Sequence, residues 1–279
     1  MAKILKKEQL SDTVRRFRLH APLIAQKRKA GQFVILRPCE DSERIPLTIA
    51  DADAGEGWLD IIFQVMGKTT MQLRDLAEGE SVRDLVGPLG KPTHIENFGR
   101  ALCVGGGVGV APLYPIIAAL HAAGNDVTAI VGARTKELVI LETVIKASCN
   151  RLLIATDDGS YGTKGFVSDI FKGLTDAGEK FDVAFVVGPV IMMKVTTALT
   201  VAAGIKTYAS LNPIMIDGTG MCGGCRVTVN GQTKFACVDG PEFDASQIAW
   251  DEMVTRLNAY KSFEARAREN YHECKMVSA

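Results

Sequence analysis

The sequence predicts a β plus α/β protein in three parts, and three observations carry this prediction. Short β-rich runs bounded by Gly, Pro and Asp fill the first part, as is typical of an antiparallel β-barrel. Strand-like and helix-like runs then alternate, which indicates a doubly wound parallel-sheet domain. A small C-terminal segment follows, with three cysteines close together and a terminal helix. The predicted parts are residues 1–97, 98–211 and 212–279.

Individual elements follow from local patterns in each part. In the barrel, strands are predicted at residues 13–19, 31–36 and 58–65, and a helix at 69–76. In the second part, strands are predicted at 101–104, 127–131, 151–155, 183–187 and 206–209, with helices at 112–123, 136–148, 167–177 and 190–203. In the third part, Asn230-Gly231 predicts a tight hairpin, and a helix is predicted near 250–271.

Composition and charge exclude several classes of protein. Of 279 residues, 47% are hydrophobic, and 32 basic residues balance 32 acidic ones. No excess of positive charge is available to meet phosphates, so we expect no nucleic-acid partner. The N-terminus lacks the apolar core of a signal peptide, and the longest uncharged run, residues 101–125, is interrupted by glycines and prolines. We therefore expect a cytoplasmic protein with no membrane partner and no disulfide framework.

A glycine-rich turn follows the first strand of the second part. Glycines allow the backbone to approach a pyrophosphate, and the helix that follows offers free N–H groups. Pro112 suits the first helical position, where no N–H is needed. The turn therefore predicts a dinucleotide site, with a tight packing turn as the alternative. The candidate residues are Gly106, Gly107, Val108, Gly109, Ala111 and Pro112.

Further candidate cofactor-binding residues stand at the carboxyl ends of the following strands, where open α/β sheets bind ligands. They are Arg134, Asp157, Asp158, Gly188 and Pro189. The two aspartates disfavour a 2′-phosphate by like-charge repulsion, which favours NAD(H) over NADP(H). Arg134 favours the opposite choice, because its guanidinium can pair with that phosphate. A solvated turn is the alternative interpretation of the two aspartates.

The barrel part also contains two candidate anion-binding stretches. Arg44, Pro46, Leu47 and Thr48 stand between two predicted strands, and Gly67 to Thr70 stand at a helix start. Arg44 can pair bidentately with a phosphate, Thr48 can hydrogen-bond a flavin ring, and the helix start is a further anion site. Residues 87–90, Gly-Pro-Leu-Gly, are expected to form a turn.

At these stretches, and in the order of barrel before nucleotide domain, the chain resembles the ferredoxin–NADP reductase superfamily. The resemblance implies an N-terminal FAD domain and a nucleotide domain that binds NAD(H). Val187 stands where many of these reductases carry a cysteine before the glycine, so we expect no thiol in hydride transfer. The residues implied to bind FAD are Arg44, Pro46, Leu47, Thr48, Gln64, Val65, Gly67, Lys68, Thr69 and Thr70.

The C-terminal cysteines have the spacing of an iron–sulfur loop. Asp217, Cys222, Cys225 and Cys237 follow the order Asp-x4-Cys-x2-Cys-x11-Cys, and plant-type [2Fe–2S] loops use the same order with a cysteine in the first position. The sequence therefore predicts a [2Fe–2S] cluster, with zinc or free structural cysteines as the alternatives. The other cysteines, Cys39, Cys103, Cys149 and Cys274, are interpreted as buried or incidental thiols.

Over its whole length the chain resembles the electron-transfer subunits of dihydroorotate dehydrogenase. Within that branch, the aspartate in the first ligand position is similar to the small subunits of NADH-dependent reduced ferredoxin:NADP oxidoreductase, also described as sulfide dehydrogenase β-type subunits. The resemblance implies FAD, a [2Fe–2S] cluster and NAD(H) in this chain. It also implies a large partner with a second flavin and [4Fe–4S] clusters, through which ferredoxin and NADP react by electron bifurcation.

Other functions stay open from the sequence. The chain could serve a dihydroorotate or a sulfide/polysulfide dehydrogenase, act alone with a soluble acceptor, or be a non-catalytic redox sensor. No side chain is needed as a general acid or base, since the cofactors carry the chemistry. The four histidines, His20, His94, His121 and His272, form no recognisable constellation and are assigned no role.

Overall fold

A computed structural model describes residues 1–277, with side chains through Tyr271. The strands are β1 (Ala2–Gln9), β2 (Val14–His20), β3 (Phe33–Arg37), β4 (Ile45–Asp53), β5 (Trp58–Gln64), β6 (Ser81–Val82), β7 (Asp84–Leu89), β8 (Arg100–Gly106), β9 (Asp126–Ala133), β10 (Arg151–Thr156), β11 (Thr163–Lys164), β12 (Val183–Val187), β13 (Lys206–Ser210), β14 (Arg226–Val229), β15 (Gln232–Phe235) and β16 (Glu242–Asp244). The helices are α1 (Pro22–Lys27), α2 (Lys68–Asp75), α3 (Val110–Ala122), α4 (Glu142–Ala147), α5 (Val167–Asp176), α6 (Val190–Ala202), α7 (Trp250–Asn258) and α8 (Lys261–Val277). None of the helices in this described part is long and apolar enough to cross a membrane.

The first sheet is the antiparallel barrel, with the strand order β6-β1-β2-β5-β4-β3-β7. Alternate residues of its strands fill the interior, because successive side chains of a strand point to opposite faces. Phe17 and Phe63 meet there edge to face, with ring centroids 5.1 Å apart. The predicted barrel and its three predicted strands and helix are confirmed.

Two expectations about the barrel are wrong. Residues 45–48 belong to strand β4 rather than to a connection, and residues 87–89 belong to β7 rather than to a turn. Proline at each place suggested a break, since it cannot donate to a ladder. Pro46, however, lies where β4 pairs with β3 alone, and Pro88 lies on an edge strand, so neither missing N–H disrupts the sheet.

The second sheet has the order β11-β10-β9-β8-β12-β13-β16 and is parallel except for β16. Helices α3 and α4 pack together on one face, and α5 and α6 pack together on the other. This is the predicted doubly wound arrangement, with all five predicted strands present. Helix α3 also packs against β4, so it lies between the nucleotide sheet and the barrel.

Three helix predictions need correction. The stretch 136–148 is not one helix: a single 3-10 turn ends at Leu138, and α4 begins only after Leu141, whose φ of 58° is left-handed. Such a residue cannot continue a right-handed helix. Pro112 is the third residue of α3 rather than the first. It still lies in the first turn of the helix, where no backbone N–H is needed. The stretch 250–271 is two helices. Helix α7 ends where the Ala259 N–H donates to the Arg256 carbonyl, three residues earlier instead of four.

The third part shares its core with the other two. The predicted hairpin is confirmed as β14–β15, with positive φ at both Asn230 and Gly231. Strand β16 leaves this part and pairs antiparallel with β13 of the nucleotide sheet. One apolar cluster joins Phe33 of the barrel, Val104 of the nucleotide sheet and Val227 of the hairpin. The three parts are therefore packed against one another.

Candidate functional site

Helix α2 begins with an open set of backbone donors. The N–H groups of Lys68, Thr69 and Thr70 have no hydrogen-bond acceptor within the described residues. The Thr70 hydroxyl accepts from the N–H groups of Met66 and Gly67, both at 3.0 Å, and donates to the Gly67 carbonyl at 2.9 Å. Thr70 therefore shapes the helix start with its side chain and offers a ligand only its backbone N–H. Such a start attracts an anion.

The loop before β4 carries Arg44 and contacts helix α2. Ser42 in the same loop donates its hydroxyl to Gln72 of α2 at 2.8 Å, which ties the loop to the helix. Arg44 lies 3.6 Å from the Asp84 carboxylate, whose close partner is Arg37 Nε at 2.6 Å. Since its side chain is 39% exposed and only loosely paired, the Arg44 guanidinium is available to a phosphate.

The remaining predicted FAD residues lie on β4 and at the end of β5. Pro46 and Thr48 alternate along β4 with Leu47, which packs against the barrel core. Leu47 therefore has only its backbone to offer a flavin. Gln64 is the last residue of β5, and Val65 follows it in the short connection to α2, where its N–H donates to the Thr13 carbonyl at 2.8 Å.

The glycines before α3 have different neighbours. A Cβ at Gly109 would lie 2.6 Å from Gly188 Cα and 2.8 Å from the Val187 carbonyl oxygen, so the turns after β8 and β12 touch through their backbones. A Cβ at Gly106 would meet the thioether of Met192. Only Gly107, with φ of 55°, has open space where a Cβ would be. A pyrophosphate therefore has one close approach to this turn, over Gly107.

Val108, Ala111 and Pro112 complete the predicted turn and differ in their exposure. Val108 is half-buried in the 3-10 turn, Ala111 is buried, and Pro112 is half-buried in the first turn of α3. Pro189 is exposed at the start of α6. The two predicted helix starts, of α3 and of α6, therefore lie side by side at the carboxyl ends of β8 and β12.

Arg134, Asp157 and Asp158 lie at the same edge of the sheet, and the two aspartates differ in their hydrogen bonds. The strands β9 and β10 are neighbours, and the Asp158 N–H donates to the Arg134 carbonyl at 3.3 Å. Asp158 Oδ1 accepts from the Ser160 hydroxyl at 2.7 Å and from its N–H at 2.9 Å, which lowers the pKa of the Asp158 carboxyl. The carboxylate of Asp157 accepts no hydrogen bond within the described residues. Asp158 therefore builds the turn, and Asp157 is available to a ligand.

Two side chains at this edge were not anticipated from the sequence. Phe166 is 61% exposed just before α5, where its N–H donates to the Asp169 carboxylate at 2.8 Å. Met192 packs onto both Gly106 and Gly188. An aromatic residue between a glycine and a helix start is a sequence signal for Phe166, whereas no local pattern singles out Met192.

The cysteine loop presents its four predicted ligands as two pairs. Asp217 Oδ1 accepts from the Thr219 N–H at 2.7 Å, and Asp217 Oδ2 accepts from the Cys222 N–H at 2.8 Å. The Cys225 and Cys237 sulfurs lie 3.2 Å apart and are buried, whereas Cys222 is exposed. Three loop glycines, Gly218, Gly220 and Gly223, have positive φ and allow the chain to turn around this space.

The donor set suits a two-iron cluster better than a single metal ion. Among the described side chains, no group of three or more His, Cys, Asp or Glu residues is close enough to hold one metal ion. Structural zinc needs four ligands around one ion, whereas the two irons of a [2Fe–2S] cluster take their ligands in pairs. Burial, and then the neighbouring Cys225 thiol, raise the pKa of Cys237 to about 12, so a cation is needed to make this thiol a ligand.

The cysteine loop rests on the barrel. A Cβ at Gly218 would lie 2.5 Å from Leu89 Cδ1 of β7 and 3.0 Å from Ile35 Cγ1 of β3. Apolar side chains surround the exposed Cys222 on the outer side of the loop: Ile214, Ile216, Met221 and Val238 are each more than a third exposed. The predicted cluster therefore lies between the barrel and an apolar surface.

The other cysteines agree with their interpretation as buried or incidental thiols. Cys103 is fully buried in β8, which raises the pKa of its thiol, and Cys39 and Cys149 are half-buried. The side chains of Cys274 and His272 lie outside the described residues.

Comparisons with known proteins agree over the whole chain. Residues 212–249 match the family described as the iron-sulfur cluster binding domain of dihydroorotate dehydrogenase B. The chain is 48% identical to the Thermotoga maritima protein named dihydroorotate dehydrogenase B (NAD(+)), electron transfer subunit homolog, over 96% of this chain and 94% of the relative. It is 34% identical to the dihydroorotate dehydrogenase B electron transfer subunit of Geobacillus thermodenitrificans, over 88% of this chain and 96% of the relative.

One solved structure is similar over nearly the full length. It is a chain of the NADH-dependent reduced ferredoxin-NADP oxidoreductase, determined in a study of flavin-based electron bifurcation. The sequence identity is 47%, the TM-score is 0.92, and the match covers 97% of this chain and 98% of that chain.

Proposed function

The chain belongs to the family of dihydroorotate dehydrogenase B electron transfer subunits and their homologues, and from this premise we propose that it is the NAD(H)-reactive subunit of a flavin-bifurcating ferredoxin:NADP oxidoreductase. It is an oxidoreductase subunit that uses FAD, an iron–sulfur cluster and NAD(H). The observation that carries the finer assignment is Asp217, which stands in the first ligand position of a cysteine loop seated on the barrel.

The residues of this chain hold and orient the groups that react. A bound flavin exchanges a hydride with nicotinamide and single electrons with an iron–sulfur cluster. Arg44 and the free N–H groups at the start of α2 hold the FAD phosphates, and Thr48 hydrogen-bonds the ring. The open space over Gly107 receives the NAD(H) pyrophosphate, and Asp157 accepts hydrogen bonds from a ribose.

The cysteine loop is the proposed exit for electrons. Asp217 and Cys222 supply one pair of ligands, and Cys225 and Cys237 supply the other. Asp217 already accepts two backbone N–H bonds, which keep the pKa of its carboxyl low and the group ionised, as a ligand must be. The loop that would hold the cluster lies directly against the barrel that would hold the flavin, since a Cβ at Gly218 would lie 2.5 Å from Leu89 Cδ1.

The proposed partner is a large subunit with its own flavin and [4Fe–4S] clusters, which reacts with ferredoxin and NADP in the cytoplasm. The apolar side chains around Cys222 support a protein partner at this place, because exposed apolar patches mark interaction surfaces. Relatives named as electron transfer subunits imply a larger complex. A dihydroorotate dehydrogenase as the partner is the second candidate, favoured by the 34% identity to the subunit of Geobacillus thermodenitrificans.

Anaerobic purification of the native chain tests the proposal. We expect a long flavoprotein partner with clustered cysteines to co-elute at fixed stoichiometry, identified by mass spectrometry, and NADH to bleach the flavin of the complex within seconds. Co-elution with a dihydroorotate dehydrogenase would move the chain to the second candidate. A flavin that NADH does not bleach would overturn the catalytic assignment and favour a redox sensor.

A further inference from the structure

The three parts of the chain meet at one junction. The linker that leaves the barrel, residues 90–93, is held from both sides by backbone bonds. The Thr93 N–H donates to the Ala30 carbonyl of the barrel at 2.9 Å, and the Lys91 N–H donates to the Gly240 carbonyl of the third part at 2.6 Å. On the other side of the third part, the Leu211 N–H donates to the Pro241 carbonyl at 2.9 Å. The junction therefore fixes the barrel relative to the nucleotide sheet.

Glu242 closes this junction with its side chain. It lies on β16, opposite Ser210 at the carboxyl end of β13. The buried Thr93 hydroxyl donates to Glu242 Oε1 at 2.6 Å, across 149 residues of sequence. A Cβ at Gly31, whose φ is 80°, would lie 3.0 Å from the same carboxylate oxygen. One half-buried carboxyl group thus lies between the barrel, the linker and the nucleotide sheet.

No cation compensates Glu242. Within the described residues it forms no ion pair, and the Thr93 hydroxyl is its hydrogen-bond donor. A carboxylate that is half-buried and has no cation beside it is costly, so the neutral form is favoured. Burial raises the pKa of Glu242 to about 7, although the Thr93 hydrogen bond acts in the opposite direction. Small changes of pH near neutrality therefore change its charge.

The charged groups on the elements around Glu242 pair with other residues or are exposed. His94 of the linker pairs with Glu96 at 3.1 Å, Lys206 of β13 lies over the Tyr208 ring, and Asp244 of β16 caps the turn at Ser246. In the barrel, Arg28 pairs with Asp51, and on β8 the buried Cys103 thiol has a pKa that the Glu242 charge raises further. The linker Lys91 and the barrel Lys29 are exposed. Arg100 of β8 pairs with Glu179 at 2.9 Å. The titratable and charged residues on the elements around Glu242 are Arg28, Lys29, Lys91, His94, Glu96, Arg100, Cys103, Lys206, Tyr208 and Asp244.

We propose that Glu242 is a positioning residue: its protonated carboxyl, held by Thr93, closes the barrel onto the nucleotide sheet, and its ionised form loosens this contact and slows hydride transfer. The physical reason is hydration. An ionised carboxyl without a cation must be hydrated, and the added water has to be accommodated where β16 meets the linker and the barrel. Hydride transfer depends steeply on the relative placement of donor and acceptor, which this junction sets. The inference rests on the proposed function, because it needs NADH and a flavin to react across the junction.

Rapid mixing of the purified flavin-loaded chain with NADH tests the proposal over a pH range of about 6 to 9. We expect the bleaching rate of the wild type to fall by about threefold or more above an inflection near neutrality. Glu242→Gln keeps the shape and the acceptor oxygen but cannot ionise, so its rate should stay at the low-pH value throughout. Thr93→Val removes the bond that favours the ionised form, so its inflection should move to higher pH. An inflection that persists unchanged in Glu242→Gln, or a flat wild-type profile, overturns the proposal.

Thermal unfolding gives a second readout that needs no reaction. The pKa of Glu242 is raised in the folded state, so its contribution to stability is lost as the pH rises from the unfolded value of 4.5 to about 7. The Tm of the wild type should therefore fall relative to that of Glu242→Gln between these pH values, in the flavin-loaded chain. Equal pH dependence of the two Tm values would contradict the proposal. If NADH bleaches none of the proteins while the Tm values diverge as expected, the proposed function fails and the proton-dependent junction stands.

Discussion

The two candidate phosphate sites use glycine for opposite reasons. At the start of α2, a Cβ on Gly67 would meet nothing within 4 Å, and three N–H groups are free within the described residues. Before α3, Gly109 is glycine because the backbone of the neighbouring turn lies where its Cβ would be. The first site is open to a ligand by its local backbone. The second is a packed crossing of two turns that leaves one opening, at Gly107.

This difference limits what a glycine-rich motif can predict about a binding site. A position can require glycine, which has no Cβ, because either a cofactor or a neighbouring backbone lies close to it. The sequence looks the same in each case. Of the two alternatives for this turn, tight packing is observed at Gly106 and Gly109, whereas dinucleotide binding over Gly107 stays a prediction. The predictions below separate the two uses.

The largest effect is expected where packing requires the glycine. Gly109→Ala forces a Cβ within 2.6 Å of Gly188 Cα, and neither backbone can move without disturbing β8 or β12. Overpacking of this kind costs about 2–3 kcal/mol of unfolding free energy. Urea unfolding followed by circular dichroism measures it.

Gly67→Ala is the matched control for that experiment. Its Cβ enters open space at a φ of −125°, which any residue adopts, so its unfolding free energy should change by less than about 0.5 kcal/mol. Equal losses in the two variants would mean that the crossing of the two turns is not the tight contact described here.

The next effect concerns the open site in the barrel. Arg44→Ala removes a guanidinium from beside α2 and should weaken FAD binding by about 1.5–3 kcal/mol, or roughly 10- to 100-fold in Kd. Flavin content after purification and a fluorescence titration of the apo-chain measure it. Arg37→Ala is the control, because it removes a guanidinium that pairs with the same carboxylate, Asp84, at 2.6 Å. A similar loss of FAD in both variants would assign Arg44 to the Asp84 ion pair instead.

Much of the fold could be predicted from the sequence, and the exceptions have physical reasons. Strand β12 is a continuous, fully buried apolar run, Val183–Val187, because both faces of this sheet are covered. Strand β4 was hidden by Pro46, whose missing N–H costs nothing at a place with one neighbour. Strand β16 has only three residues and exists because β13 offers it an edge, which no local pattern can reveal.

The candidate site likewise has features that the sequence predicts and features that only the structure reveals. Residue types and spacing predict the four candidate cluster ligands and place the start of α2 within one residue, because those patterns are local. The pairing of Asp158 with Ser160, which leaves Asp157 free, depends on side-chain geometry and was not accessible. Glu242 and Thr93 are 149 residues apart in sequence, and neither is notable until the fold brings them together.

A smaller effect is expected at the one open glycine of the packed turn. Gly107→Ala places a Cβ in the space over the turn, at a φ of 55° that costs an alanine about 1–2 kcal/mol. We expect this modest loss of stability together with a several-fold rise in the KM for NADH, from stopped-flow reduction at varied NADH. FAD content should not change. A rise in KM without any loss of stability would show that the turn relaxes, and an unchanged KM would place the pyrophosphate elsewhere.

The smallest effect distinguishes the two aspartates at the edge of the packed site. Asp157→Asn removes a carboxylate that accepts no hydrogen bond in the described residues, so it should weaken NADH binding by about 1 kcal/mol, or roughly fivefold. Binding of NADPH should improve, because a negative charge is lost near its 2′-phosphate. Asp158→Asn keeps an acceptor oxygen for Ser160 and leaves the Asp157 charge in place, so the preference for NADH over NADPH should change less. Each variant replaces one aspartate by asparagine, so the two differ only in the position of the substitution. A larger change of preference in Asp158→Asn would reverse the assignment and mean that the turn opens when the cofactor binds.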